Sequence, residues 1–138
     1  METAKRCREQ DQQHPIWFAD TYDLNSEIVN FIAAFAQRKQ QAVDNHWIIK
    51  AWNLAHGTST KVVNNMSEIV TMRRTSTPFT ISKYVERPFL ITSCHGRVKF
   101  DFRYHIVVRS FAPLQAYAMK RFWPKLAVKS YDLEVTSH

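Results

Sequence analysis

The sequence predicts an α+β domain, and three observations carry that expectation. Ile28, Phe31, Ile32, Phe35 and Ala36 recur at i, i+3, i+4, i+7 and i+8, the mark of a helix with one buried stripe. Further on, Val98, Phe100, Phe102, Tyr104, Ile106 and Val108 alternate with Lys99, Asp101, Arg103, His105, Val107 and Arg109, a strand expected to bury one face. The whole chain has 138 residues, 45% hydrophobic and 13% aromatic, which suits one core and is too short for a two-domain enzyme. The expected layout is one mostly antiparallel sheet of the Trp47, Phe79, Val98 and Leu114 strands, packed on one long helix and one short one.

Residues 1–20 are expected to be a polar, partly frayed N-terminus, because they are charged and glutamine-rich apart from Pro15 to Phe18. Residues 21–138 then form the domain. Asn25 is the expected N-cap of a helix to Gln41, with Glu27 at its positive end and Arg38 and Lys39 at its negative end. His46 to Lys50 reads as a short strand that ends in a cation, followed by a polar loop through His56, Gly57 and Thr58 and by Val62-Val63. A short helix is expected from Asn65 to Arg73, broken by Thr75 to Pro78. A strand from Phe79 to Val85 follows, closed by Pro88. After the alternating run, a turn at Ser110 to Pro113 sends the chain back antiparallel over Leu114 to Met119.

Charge is unevenly spread. Residues 1–45 hold five basic and seven acidic side chains, whereas residues 46–138 hold fourteen and five. The positive second part points to an anionic partner: nucleotide, nucleic acid or acidic peptide. Cys7 and Cys94 suggest neither a disulfide framework nor a metal site. No stretch approaches the ~20 apolar residues of a membrane span, and the N-terminus has no apolar run of a signal peptide, so a cytoplasmic protein without membrane contact is expected. No metal ligand set is expected either, since adjacent Cys94 and His95 do not easily share one tetrahedral ion.

Several polar side chains are candidates for chemistry. Lys99, Asp101 and Arg103 project from one strand face, either as a solvated ladder or as a carboxylate for hydroxyl donors flanked by cations for phosphate. Lys50, at a strand end before a glycine-containing loop, suits a phosphate contact or a snorkelling surface lysine. Lys83 shares a face with Phe79, Ile81 and Val85, and a partly buried lysine there requires an anion. The four tryptophans with nearby arginines suggest stacking on single-stranded nucleic acid only weakly, because no nucleic-acid-binding motif accompanies them.

Taken in order, Trp47-Ile48-Ile49-Lys50, Ser82-Lys83-Tyr84-Val85-Glu86-Arg87-Pro88 and Lys99-Phe100-Asp101-Phe102-Arg103 resemble the tubulin–tyrosine ligase-like family. That family carries a W-I-x-K-P strand, a Q-K-Y-I-E-x-P hinge and a K-F-D-x-R strand on an ATP-grasp fold. The resemblance runs from about Thr21 to about Lys125. It implies ATP as cofactor, with Lys50 at the phosphates, Ser82, Lys83, Tyr84 and Val85 as the adenine hinge, Lys99 and Asp101 on the nucleotide and its ribose, and Arg103 facing the acceptor or amino acid. It also implies attachment of an amino acid to the acidic tails of tubulin and a microtubule-associated setting; a basic nucleic-acid binder is the least favoured of the alternatives.

Departures from the family pattern are specific. Ala51 stands for the proline after Lys50, and Ala55-His56-Gly57-Thr58-Ser59 stands for an S-R-G-x-G loop, so Gly57 is the one glycine left to approach the phosphates. Ser82 replaces glutamine, and Lys125 falls where a γ-phosphate arginine is expected, keeping charge without bidentate geometry. The family's magnesium ligands, an acidic residue and an E-x-N strand, are expected beyond His138. The expectation is therefore a partial ATP-grasp module whose ligation activity alone is weak or absent, or else a non-catalytic module that binds tubulin or another acidic protein.

Overall fold

The computed structural model describes residues 17–51, 60–73 and 77–136. Its elements are β1 (Thr21–Asp23), α1 (Ile28–Gln40), β2 (Trp47–Ala51), β3 (Thr60–Val63), α2 (Met66–Arg73), β4 (Phe79–Lys83), β5 (Ile91–Ser93), β6 (Gly96–Val98), β7 (Phe100–Phe111), β8 (Leu114–Leu126) and α3 (Leu133–Thr136). They fall into two compact units, Met1–Glu86 with Leu133–His138, and Arg87–Asp132. The expected single sheet is thus corrected: the Trp47 and Phe79 strands share a four-stranded antiparallel sheet of order β1-β4-β2-β3, while β5-β6 and β7-β8 are separate two-stranded ribbons.

In the first unit the alternation of β2 settles its sides. Trp47, Ile49 and Ala51 are buried and Lys50 is exposed, and β4 matches it with Phe79 and Ile81 buried. The core joins these to Phe31 and Phe35 of α1, Ile69 of α2, and Val63, Tyr22 and Leu24. The Phe31 ring stands edge-on to Trp47 with centroids 5.0 Å apart, and Tyr22 lies 5.9 Å from Phe31. Trp47 Nε1 donates to Asn45 Oδ1 at 2.8 Å, and Asn45 Nδ2 donates to the Phe35 carbonyl at 3.1 Å, which ties the end of α1 to the start of β2.

Two expectations about α1 are corrected. Asn25 does not cap it; the Asp23 carboxylate accepts the Asn25 N–H and the Ser26 hydroxyl, and Glu27 Oε2 accepts the Asp23 N–H. This turn uses up the first residues, so the helix starts at Ile28. The buried stripe is Phe31 and Phe35 with Ile28 and Ala34 beside them, whereas Ile32 is 41% exposed and Ala36 is exposed. At the other end Ala42 adopts φ 54°, and the Val43 N–H reaches back to the Arg38 carbonyl at 3.2 Å. This is the left-handed helix stop that glycine usually supplies.

In the second unit β5 and β6 form a hairpin whose turn ends at Gly96, φ 90°. A Cβ there would lie 3.2 Å from Ser130 Oγ, a tight contact, and the positive φ is what calls for glycine. β7 and β8 form a long ribbon with register shifts after Tyr104 and Val108. The returning strand runs to Leu126, past the expected Met119, because Phe122, Pro124 and Leu126 continue the alternation against Tyr104, Phe102 and Phe100. The expected burial of this face is corrected as well. Phe102 is 54% exposed and Tyr104 and Phe122 are also exposed, since a two-stranded ribbon supplies no second layer of its own. The rings pack along the ribbon instead, with Phe100 to Phe102 at 5.1 Å and Phe102 to Phe122 at 4.9 Å.

Candidate functional site

Among the described residues, the face of the first sheet turned away from α1 and α2 carries Lys50. Antiparallel pairing sets Lys50 opposite Thr80 and Ile48 opposite Ser82, so Lys50, Thr80 and Ser82 share one side, away from Trp47, Ile49 and Ile81. Thr21 Oγ1 donates to Ser82 Oγ at 3.0 Å and extends this polar row onto β1. Among the described residues Lys50 has no salt-bridge partner, and its side chain is exposed. From Thr80 to Tyr84 the chain advances roughly 13 Å at the usual strand rise, a span comparable with that between base and phosphates of a nucleotide. Gly57 lies outside the described residues.

Beyond β4 the hinge residues serve different purposes. Strand pairing stops at Lys83, before the expected Val85. The Lys83 N–H donates to the Asp20 carbonyl at 2.8 Å and the Tyr84 N–H donates to the His46 carbonyl at 3.1 Å. Val85 is exposed. The anion that Lys83 requires is Glu86, three residues on: Lys83 Nζ donates to Glu86 Oε1 at 2.6 Å, to the His46 carbonyl at 2.8 Å and to the Tyr84 carbonyl at 3.0 Å. An ammonium has three protons, and these contacts use all of them. The ammonium also stands 6.0 Å from the centroid of the Trp47 ring.

Glu86 and His46 were not assigned from sequence. Glu86 Oε1 also accepts the His46 N–H at 2.6 Å, and Oε2 lies 3.1 Å from His46 Nδ1 without the alignment of a hydrogen bond. Burial pushes the Glu86 carboxyl upward, but the hydrogen bonds from Lys83 and the His46 backbone and the Lys83 charge outweigh it and hold it below its ordinary value. The available sequence signal was the i, i+3 spacing of a lysine and a glutamate just past a buried strand. Glu86 and His46 also form part of the wall of a cleft of about 770 Å³, lined in addition by Phe35, Lys39, Asn64 and Met66.

The remaining predicted residues belong to the second unit. Asp101 and Lys125 are direct cross-strand partners, Arg103 is opposite Trp123, and the three polar groups share the ribbon face that turns away from Phe100 and Phe102. Lys99 Nζ stands 5.0 Å from the centroid of the Tyr131 ring. Arg87–Asp132 contains nine Lys and Arg against two Asp, a net charge of +7, equal to that of the entire chain.

Among the described residues no three His, Cys, Asp or Glu come together. Asp101 has Lys125 across from it rather than a second carboxylate. No helix among the described residues is long and apolar enough to cross a membrane.

Residues 1–138 match the tubulin-tyrosine ligase family, and the chain belongs to that family. Within that family it is 40% identical over 121 residues to tubulin–tyrosine ligase-like protein 12 of Mus musculus, covering 87% of this chain and 19% of that protein. The same protein of Homo sapiens is 38% identical over 120 residues, 86% of this chain and 18% of the relative. Tubulin glycylase 3C of Tetrahymena thermophila is 33% identical over 92 residues, 66% of this chain and 8% of the relative. The chain thus spans about a fifth of the length of the first two relatives.

Proposed function

We propose that this chain is the nucleotide-holding portion of a tubulin-modifying ligase, a partial ATP-grasp module that binds ATP through its first unit. The observation that carries the reading is the row Lys50, Thr80 and Ser82 on the sheet face turned away from α1 and α2, leading to the exposed hinge at Val85. Lys50 would meet the phosphates, and the backbone at Ser82, Lys83, Tyr84 and Val85 would meet the base. Bound ATP supplies the phosphoryl group that activates a carboxylate for amide formation; the chain's own residues bind and orient it. No step is assigned to magnesium. Titration of the 138-residue chain with ATP tests the reading. Micromolar to millimolar binding that Lys50→Ala weakens at least tenfold supports it, and no heat or thermal shift with ATP overturns it.

A second reading, a non-catalytic module that binds acidic tubulin tails, draws on the +7 charge of Arg87–Asp132. Relatives are named for tubulin glycylation and tubulin polyglutamylation. Retention on tubulin that is lost when its acidic tails are removed and falls with salt favours this reading. Such a protein would work in the cytoplasm beside microtubules.

A further inference from the structure

We propose that Glu86 is a positioning residue of the hinge: it draws the Lys83 ammonium away from the nucleotide face and fixes Tyr84 and Val85 at the end of β4. The inference rests on the nucleotide reading above. Its basis is the direction of the two lysines. On β4 the residues Phe79, Ile81 and Lys83 share the side of the helices, as the Trp47–Lys83 pairing and the Trp47 contact require. Lys50, Thr80 and Ser82 occupy the other side. A lysine ammonium at the edge of a core would ordinarily bend out to water and to any phosphate nearby. Here it is held in place by Glu86, whose side chain is only 7% exposed, and by two carbonyls.

The same carboxylate braces the chain that follows. Glu86 takes the His46 amide, while the His46 carbonyl takes both the Lys83 ammonium and the Tyr84 amide. The two residues between Lys83 and Glu86 are therefore closed into a short loop pinned to the start of β2. A hinge that is already ordered loses less conformational freedom when a base docks against it. Lys83 on this account acts through the hinge and not through its charge, so its removal affects adenosine and ATP alike.

The variants Glu86→Ala, Glu86→Gln, Lys83→Met and Lys50→Ala of the full chain separate these roles, with affinities for adenosine and ATP measured by calorimetry and amide hydrogen exchange followed at Tyr84 and Val85. Expected for Glu86→Ala and Lys83→Met are faster exchange at the hinge and a roughly tenfold weaker affinity, the same factor for adenosine and ATP. Glu86→Gln, which keeps an acceptor for the ammonium, restores most of both. Lys50→Ala weakens ATP more than adenosine and leaves hinge exchange unchanged. ATP binding that Glu86→Ala leaves intact overturns the proposal alone, as does a Lys83→Met loss confined to ATP. Failure of the wild-type chain to bind either ligand overturns the nucleotide reading and the positioning role with it.

Discussion

Two neighbours on α1 give the sharpest test of the first unit, because the helical pattern treats them alike and the packing does not. Phe31 is fully buried, with its ring 5.0 Å from Trp47 and 5.9 Å from both Tyr22 and Phe35. Phe31→Ala removes the centre of this cluster, which sheet and helix cannot close over, and costs about 3–5 kcal/mol. That is a large share of the ~5–15 kcal/mol by which a domain is stable. Ile32, one position on, is 41% exposed, and Ile32→Ala exchanges partial burial for a better helix former, for a net cost under about 1 kcal/mol. Urea unfolding followed by circular dichroism reads both. With a slope of roughly 2 kcal/mol per molar, the Phe31 variant loses about 2 M of midpoint and the Ile32 variant less than about 0.5 M. An Ile32→Ala midpoint as low as that of Phe31→Ala refutes the placement of α1 on the sheet.

Acid sensitivity follows from Glu86. Its carboxyl is held below its ordinary value of 4.5, so it stabilises the fold fully at pH above that value and loses the contribution as pH falls through the lower folded value. Between about pH 6 and pH 3 the wild-type midpoint in urea therefore drops further than that of Glu86→Gln; equal drops would show that the carboxylate is not held by Lys83. Ala42→Gly relieves the left-handed backbone at φ 54° and stabilises the chain by about 0.5–1 kcal/mol, read as a higher melting temperature.

Much of the first unit was legible from pattern. The Trp47 and Phe79 strands, the short helix before Arg73 and the buried Phe31 and Phe35 follow from period and turn chemistry, which act over a few residues. The cap was not legible, because Glu27 occupies the N-cap position without a side-chain cap bond and its carboxylate instead accepts the Asp23 amide. Alternation sorted Asp101 and Arg103 from Phe100 and Phe102, but the expected single strand from Val98 is broken at Lys99, which lies between β6 and β7, and period two does not say whether anything covers a side. At the hinge, sequence identified a lysine in need of an anion but not Glu86, because local spacing cannot say that both side chains turn to the backbone of His46, some forty residues earlier, Glu86 to its N–H and Lys83 to its carbonyl. The Asp101 and Lys125 pairing depends on the register shifts of β8, which no short-range signal encodes.

The β7-β8 ribbon also governs how the protein behaves in bulk solution. Its two edges run the length of 12- and 13-residue strands, and among the described residues each strand pairs with the other alone. Such edges, next to rungs of exposed rings, are templates for stacking one molecule on another. What opposes this is the concentration of cations in the same stretch, where like charges keep two ribbons apart. That repulsion reaches about 30 Å at 0.01 M salt and about 8 Å at physiological strength. Polyanions and concentrated salt both screen it, so each is expected to bring this chain closer to self-association.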